Sequence, residues 1–198
     1  MTVIPARSEL PTQVSGSRSV GWWGLICLLL NEVVLFASLI ASYLYIRFNS
    51  TAWPPLGVPK PELILPAIMT VILLSSSVFM HLAQRGIQRG DQSRLRIGLL
   101  IAFGLAVIFL ALQVYEYMHS DVLPKDNTYG SLFFAITGIH GIHVLLAVLM
   151  NGYLQLRARL GHFSARRLQG VENVVLYWHF VDAVWILIVL SLYVSPYF

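Results

Sequence analysis

Five long apolar stretches succeed one another along this chain, at 22–46, 63–82, 97–118, 131–154 and 174–194. Each holds about 20 or more mostly apolar residues, enough for a helix to cross a hydrocarbon core of about 30 Å. Backbone in lipid must satisfy its own hydrogen bonds, and alternating barrel strands are absent, so helices are the only solution. The chain therefore reads as all-α, a polytopic membrane bundle of five transmembrane helices. One domain spans 21–198, preceded by a polar tail at 1–20.

Composition agrees with that reading. Of the 198 residues, 57% are hydrophobic and 11% charged, and a soluble domain carries about twice that charge fraction. The single cysteine, Cys27, lies inside the first stretch and rules out a disulfide framework or a thiolate cluster. A pI near 9.4 would fit a nucleic-acid partner, but the basic residues sit near the ends of the apolar spans. They read as topology signals, and no nucleic acid is expected.

Arg7, Arg18, Arg85, Arg89, Arg94, Arg96, Arg157, Arg159, Arg166 and Arg167 fall on one side of the membrane; Arg47, Lys60 and Lys125 fall on the other. The positive-inside rule then puts the N-terminus inside and the C-terminus outside. An odd number of spans requires the same split. The tail at 1–20, rich in Ser, Pro and Thr, reads as mobile. A cleaved signal peptide is the competing idea, but the following apolar run is too long and lacks a small-residue cleavage site. The first outside loop carries Trp53, Pro54, Pro55, Pro59 and Pro61, which forbid helix and favour an extended crossing. Trp53 suits the headgroup level.

Ionisable groups inside the spans carry the chemical question, because such groups are expensive in lipid and need a partner or a task. Glu32 lies about ten residues, hence about 15 Å, from the inner end of its helix, near the midplane. His143, His179 and Asp182 are expected in the inner half of the bilayer, with His81 near the inner end of its span. Glu116 lies near the opposite interface. His140 and His143 share a helix face at i, i+3, and so do His179 and Asp182. Small residues at Ala37/Ala41, Ser38/Ser42, Ser75–Ser77 and Gly138/Gly141 allow close helix approach, so the bundle is expected to bury Glu32.

Three chemistries fit those groups. Two histidines at i, i+3 with a carboxylate elsewhere can ligate a redox metal, and histidines on facing helices can hold haem. A buried carboxylate can instead carry protons. The third is an internally satisfied polar network that orients helices or holds a lipid headgroup. The spacing leaves all three open, although no repeated His-rich boxes of a di-iron membrane oxygenase occur.

Motif order narrows the choice. The segment 22–45, with Asn31-Glu32-Val33 and 35–39, resembles the glutamate-bearing helix of subunit III of the haem-copper respiratory oxidases. Trp53-Pro54-Pro55, the serine run 75–77, Gln113-Val114-Tyr115-Glu116-Tyr117 and Tyr129-Gly130-Ser131 are similar to that family's pattern. So are the run from Thr137 through His140 and His143 to Val144, and the run from Tyr177 through His179 and Asp182 to Trp185. The matches recur in family order across about residues 21–194. Many members have seven helices, two of them before the glutamate helix; this chain resembles the short five-helix bacterial form. Asn31 stands where Ser is common.

The resemblance implies a non-redox accessory subunit of a proton-pumping terminal oxidase in a bacterial plasma (inner) membrane. It would pack directly on the catalytic subunit I, in one complex with subunit II, and support stability and proton uptake during aerobic electron transport. Haem and copper would lie in those partner subunits, with no metal or other cofactor in this chain. Room for a bound phospholipid remains, though the two missing helices form one wall of the lipid cleft of longer members. Glu32 matches the family's carbodiimide-reactive carboxylate, and His140, His143, His179 and Asp182 match its intramembrane polar motifs. Within the family, a quinol oxidase or nitric oxide reductase is the alternative. From other classes come a small membrane transporter, disfavoured because no span has a proline near its middle that would break it, and a free-standing haem protein.

Overall fold

The computed structural model describes residues 20–55, 57–164 and 168–198. The expected tail thus lies outside the described residues, except for Val20, as do Arg7, Arg18, Arg166 and Arg167. Among the described residues, five helices are long and apolar enough to span a membrane: α1 (Val20–Phe48), α2 (Ile64–Gln88), α3 (Gln92–Met118), α4 (Thr128–Arg159) and α5 (Gln169–Ile188). A π-helical turn, Val189–Val194, and a 3-10 turn, Ser195–Tyr197, prolong α5 to the end of the chain. The protein is a multi-pass, all-helical membrane protein.

Most helices overrun their apolar stretches because polar residues finish them. Asp91 caps α3 by accepting the Arg94 N–H at 3.0 Å, and Asn127 caps α4 by accepting from Gly130 at 2.8 Å. The carboxyl end of α4 is held from outside: the guanidinium of Arg96, on α3, donates twice to the Ala158 carbonyl, at 3.0 and 3.2 Å. A positive side chain there also opposes the helix dipole. Gly90, with φ of 78°, turns α2 into α3 in a left-handed conformation that a side chain would strain.

Helices α2, α3, α4 and α5 close into a ring, each packed on the next, and α1 lies outside against α4 and α5. The tightest pair is the α2–α3 hairpin. A Cβ on Gly86 would fall 2.6 Å from the Arg94 Cβ, and one on Gly98 would fall 2.8 Å from both the Ala83 Cβ and the Phe79 carbonyl oxygen. These two glycines let the backbones approach, as packing without a hydrophobic drive requires.

By contrast, α1 buries only Leu29, Phe36 and Tyr43, seven residues apart, which is a single narrow seam. Here the structure corrects the reading of the small residues on α1. Ala37, Ser38, Ala41 and Ser42 are exposed within the chain, because the seam through Phe36 and Tyr43 turns that stripe away from α4 and α5. Ser38 and Ser42 donate instead to carbonyls one turn back, Val34 at 2.7 Å and Ser38 at 2.8 Å.

Both ends of the bundle are tied together. At one end Arg47 donates to the Ser195 carbonyl and Tyr197 to the Pro61 carbonyl at 2.9 Å, so the first loop and the carboxyl terminus share that end. At the other, Gln92 reaches the Phe163 carbonyl at 2.6 Å. Arg85, Arg89, Arg94, Arg96, Arg157 and Arg159 therefore gather at a single end, while Arg47, Lys60 and Lys125 lie at the opposite one.

Candidate functional site

Glu32 and His143 meet. Nε2 of His143, on α4, lies 2.9 Å from Oε2 of Glu32, on α1. The other imidazole nitrogen, Nδ1, is 2.7 Å from the Ile139 carbonyl oxygen one turn back. A carbonyl oxygen only accepts, so Nδ1 must carry a proton. The Nε2–Oε2 contact then contains one proton, held either by the acid or by the imidazole. In both cases the pair is neutral overall, which is the condition for keeping a carboxyl at bilayer depth. Phe36, of the α1 seam, packs its ring edge on the same imidazole, with centroids 5.1 Å apart.

The pair is sheltered but not sealed. The two side chains are 22% and 14% exposed, Glu32 and His143 respectively. An open groove runs beside them along α1, lined by Asn31, Glu32, Leu35, Ser38, Ser42 and Ile139. Glu32, expected to be buried by the bundle, is thus only partly buried by its own chain.

A second polar group joins α5 to α2. Asp182 is 5% exposed, and its Oδ2 accepts a hydrogen bond from the Ser77 hydroxyl. His179, which the sequence groups with Asp182 as a buried polar residue of the inner half, is 45% exposed; its Nδ1 stands 3.7 Å from Asp182 at the edge of the helix face. Asp182 faces α2, and His179, three residues earlier, swings out of that interface. Two indoles complete the seam: Trp178 donates to the Ser76 hydroxyl at 2.9 Å and Trp185 to the Thr70 hydroxyl at 3.0 Å.

His140 stands apart from its neighbour in sequence. It is fully buried, stacks on Trp185 at 5.2 Å, and neither ring nitrogen has a hydrogen-bond partner among the described residues. Gln113 donates to the Thr137 carbonyl at 2.6 Å and to the Tyr117 hydroxyl at 3.0 Å, in space left by Gly141, where a Cβ would fall 2.7 Å from Gln113. Glu116, in the last turn of α3, turns inward, accepting from the Tyr193 hydroxyl at 3.0 and 3.1 Å. Trp53 donates to the Tyr43 hydroxyl at 2.9 Å and packs edge-on against Tyr129. It anchors the first loop to the bundle. His81 is exposed.

The motif groups therefore form separate clusters: Glu32 with His143, Asp182 with Ser77 and His179, and Glu116 with Tyr193. Among the described residues no three His, Cys, Asp or Glu side chains are grouped to hold a metal ion. Ser76, Ser77, Thr70 and Tyr193 are the partners that sequence reasoning did not assign. One signal pointed to Ser76 and Thr70: indole N–H groups in lipid need acceptors, and α2 carries hydroxyls at bilayer depth.

Comparison with known proteins decides the family. The family model for cytochrome c oxidase subunit III matches residues 15–197. The chain belongs to that family. It is 38% identical over 179 residues to cytochrome c oxidase subunit 3 of Synechocystis sp., covering 90% of this chain and 77% of the relative. To that of Thermostichus vulcanus it is 36% identical over 176 residues, covering 88% and 87%. The corresponding Schizophyllum commune subunit is 37% identical over 177 residues, covering 86% and 66%. As a subunit III, this chain is an accessory component of a haem-copper oxidase complex, and the quinol oxidase, nitric oxide reductase, transporter and free haem-protein readings are not favoured.

Proposed function

We propose that this subunit III is a non-redox scaffold that packs on the catalytic subunit I, in one complex with subunit II, and supports its stability and proton uptake while the complex pumps protons. The observation that carries this reading is the state of α1. Its one seam holds a neutral acid–imidazole pair, while its small-residue face is left uncovered, as suits a helix that completes its packing against other chains or lipid. Haem and copper belong to the partner subunits.

The arginine-rich end faces the cytoplasm of a bacterial inner membrane, with the N-terminus inside and the carboxyl terminus outside. The chain is one membrane domain, 21–198, behind a polar tail, 1–20. Glu32, His140, His143, His179 and Asp182 act as structural or proton-holding groups, and Trp53 and Glu116 mark the opposite interface.

Affinity purification of the tagged chain in mild detergent, followed by mass spectrometry and a visible spectrum, tests the proposal. A large haem-bearing subunit is expected to co-purify, and the chain freed from it is expected to show no Soret band. A haem spectrum from this polypeptide alone would overturn the reading.

A further inference from the structure

A cavity of about 440 Å³ lies where α3 ends and α4 begins, at the end opposite the arginines. Helix α1 contributes nothing to it, so it is distinct from the groove beside Glu32. Its size is that of a small-molecule site.

Its chemistry is acidic and aromatic. Glu62, Glu116 and Asp121 line it, and none of them forms an ion pair among the described residues. Nor do they converge with His119 closely enough to hold a metal ion. Glu116 is fixed in place by the Tyr193 hydroxyl, yet one phenol proton leaves most of a carboxylate's accepting capacity unused. Tyr115, Tyr129, Phe133 and Tyr193 supply the ring walls. Tyr129 is only 4% exposed, and its hydroxyl has no hydrogen-bond partner among the described residues although the side chain lines this space. Lys60, the one lysine or arginine of the lining among the described residues, extends over the Tyr197 ring at 5.0 Å.

An anion would face three carboxylates. A purely apolar guest would leave the Tyr129 hydroxyl and Glu116 unanswered, at the cost of desolvated polar groups. A bare metal ion would lack a converged ligand set. An organic ammonium meets every demand: its charge answers Glu116, its N–H or polarised C–H groups meet the ring faces, and the Tyr129 hydroxyl accepts. We propose that this cavity binds an alkylammonium group, supplied either by a soluble amine or by a zwitterionic phospholipid headgroup, whose phosphate would meet Lys60. The inference is independent of what the Glu32 pair does.

Ligand-observed NMR titration of the purified oxidase complex tests it, using ethanolamine, dihexanoylphosphatidylethanolamine and dihexanoylphosphatidylglycerol as probes. At least one amine-bearing probe should bind, and Glu116→Gln should weaken it by about tenfold or more. Tyr129→Phe should weaken it severalfold without lowering the thermal midpoint, since that hydroxyl bonds nothing among the described residues. Binding of the phosphatidylethanolamine but not ethanolamine identifies a lipid headgroup as the source; equal binding of both identifies a soluble amine. Should Glu116→Gln fail to assemble, Tyr129→Phe and Glu62→Gln decide. Amine binding unchanged in the variants that assemble, no amine binding at all, or phosphatidylglycerol binding as tightly as phosphatidylethanolamine would overturn the proposal.

Discussion

His143 and Glu32 lie 111 positions apart in the chain and share one proton across 2.9 Å. The Ile139 carbonyl fixes which imidazole nitrogen is left for the acid. The pair fastens the outlying α1 to the ring of four helices without placing a net charge in lipid.

Glutamine at position 32 can keep that fastening, because its amide donates to Nε2 as a carboxylic acid does. Glu32→Gln should therefore assemble nearly as wild type. Glu32→Ala leaves Nε2 without a partner and should cost about 1–3 kcal/mol, read as a lower thermal midpoint of the assembled complex. In His143→Leu, the glutamine variant should lose its advantage over alanine. Equal stability of the Gln and Ala variants in wild-type background would remove the structural role of the pair.

His140 makes the opposite prediction. Its imidazole is fully buried between Trp185, Phe109 and Phe36 and neither nitrogen is bonded within the described residues. Replacing it with phenylalanine removes unpaired polar atoms and keeps a ring of similar size. His140→Phe should be neutral or stabilising by about 1 kcal/mol, whereas His140→Ala should cost about 2–4 kcal/mol through the cavity it leaves. A marked loss of thermal stability in the phenylalanine variant would mean that the imidazole has a partner supplied by water or another subunit.

At Asp182 the hydroxyl of Ser77 is the quantity at stake. Asp182→Asn retains an oxygen acceptor for that hydroxyl and should lose less than about 1 kcal/mol. Asp182→Ala should lose about 2 kcal/mol or more, since it strands the serine in a buried α2–α5 seam. Ser77→Ala in the Asp182→Ala background should then cost almost nothing. Additive losses in that double variant, measured by thermal unfolding, would show that the two residues act separately.

How far these features could be foreseen depends on what sets them. The five spans were legible because length and apolarity alone dictate crossing a bilayer, and the family was legible because motifs such as those around Glu32 and His143 recur in order. Helix rotation was not legible. Ala37/Ala41 and Ser38/Ser42 have the spacing of an interface, yet they face outward, because Phe36 and Tyr43 claim the contact surface. His179 and Asp182 share a face by spacing, but only Asp182 points squarely at α2. Ser77 and Tyr193 became partners through a meeting of helices that no local pattern encodes.

Glycine placement gives the sharpest test of the packing itself. A Cβ on Gly98 would stand 2.8 Å from the Phe79 carbonyl oxygen and from the Ala83 Cβ, so the α2–α3 hairpin must open to admit it. Gly104, six residues on in the same helix, has nothing within 4 Å of the place a methyl group would take. Gly98→Ala should destabilise by about 1–3 kcal/mol through overpacking. Gly104→Ala should be neutral or gain about 0.5–1 kcal/mol from its better helix propensity. Thermal unfolding of the two variants side by side separates packing from propensity, since the same chemical change is made in one helix. If Gly104→Ala lost as much as Gly98→Ala, the close approach of α2 and α3 would not be what the glycine at 98 provides.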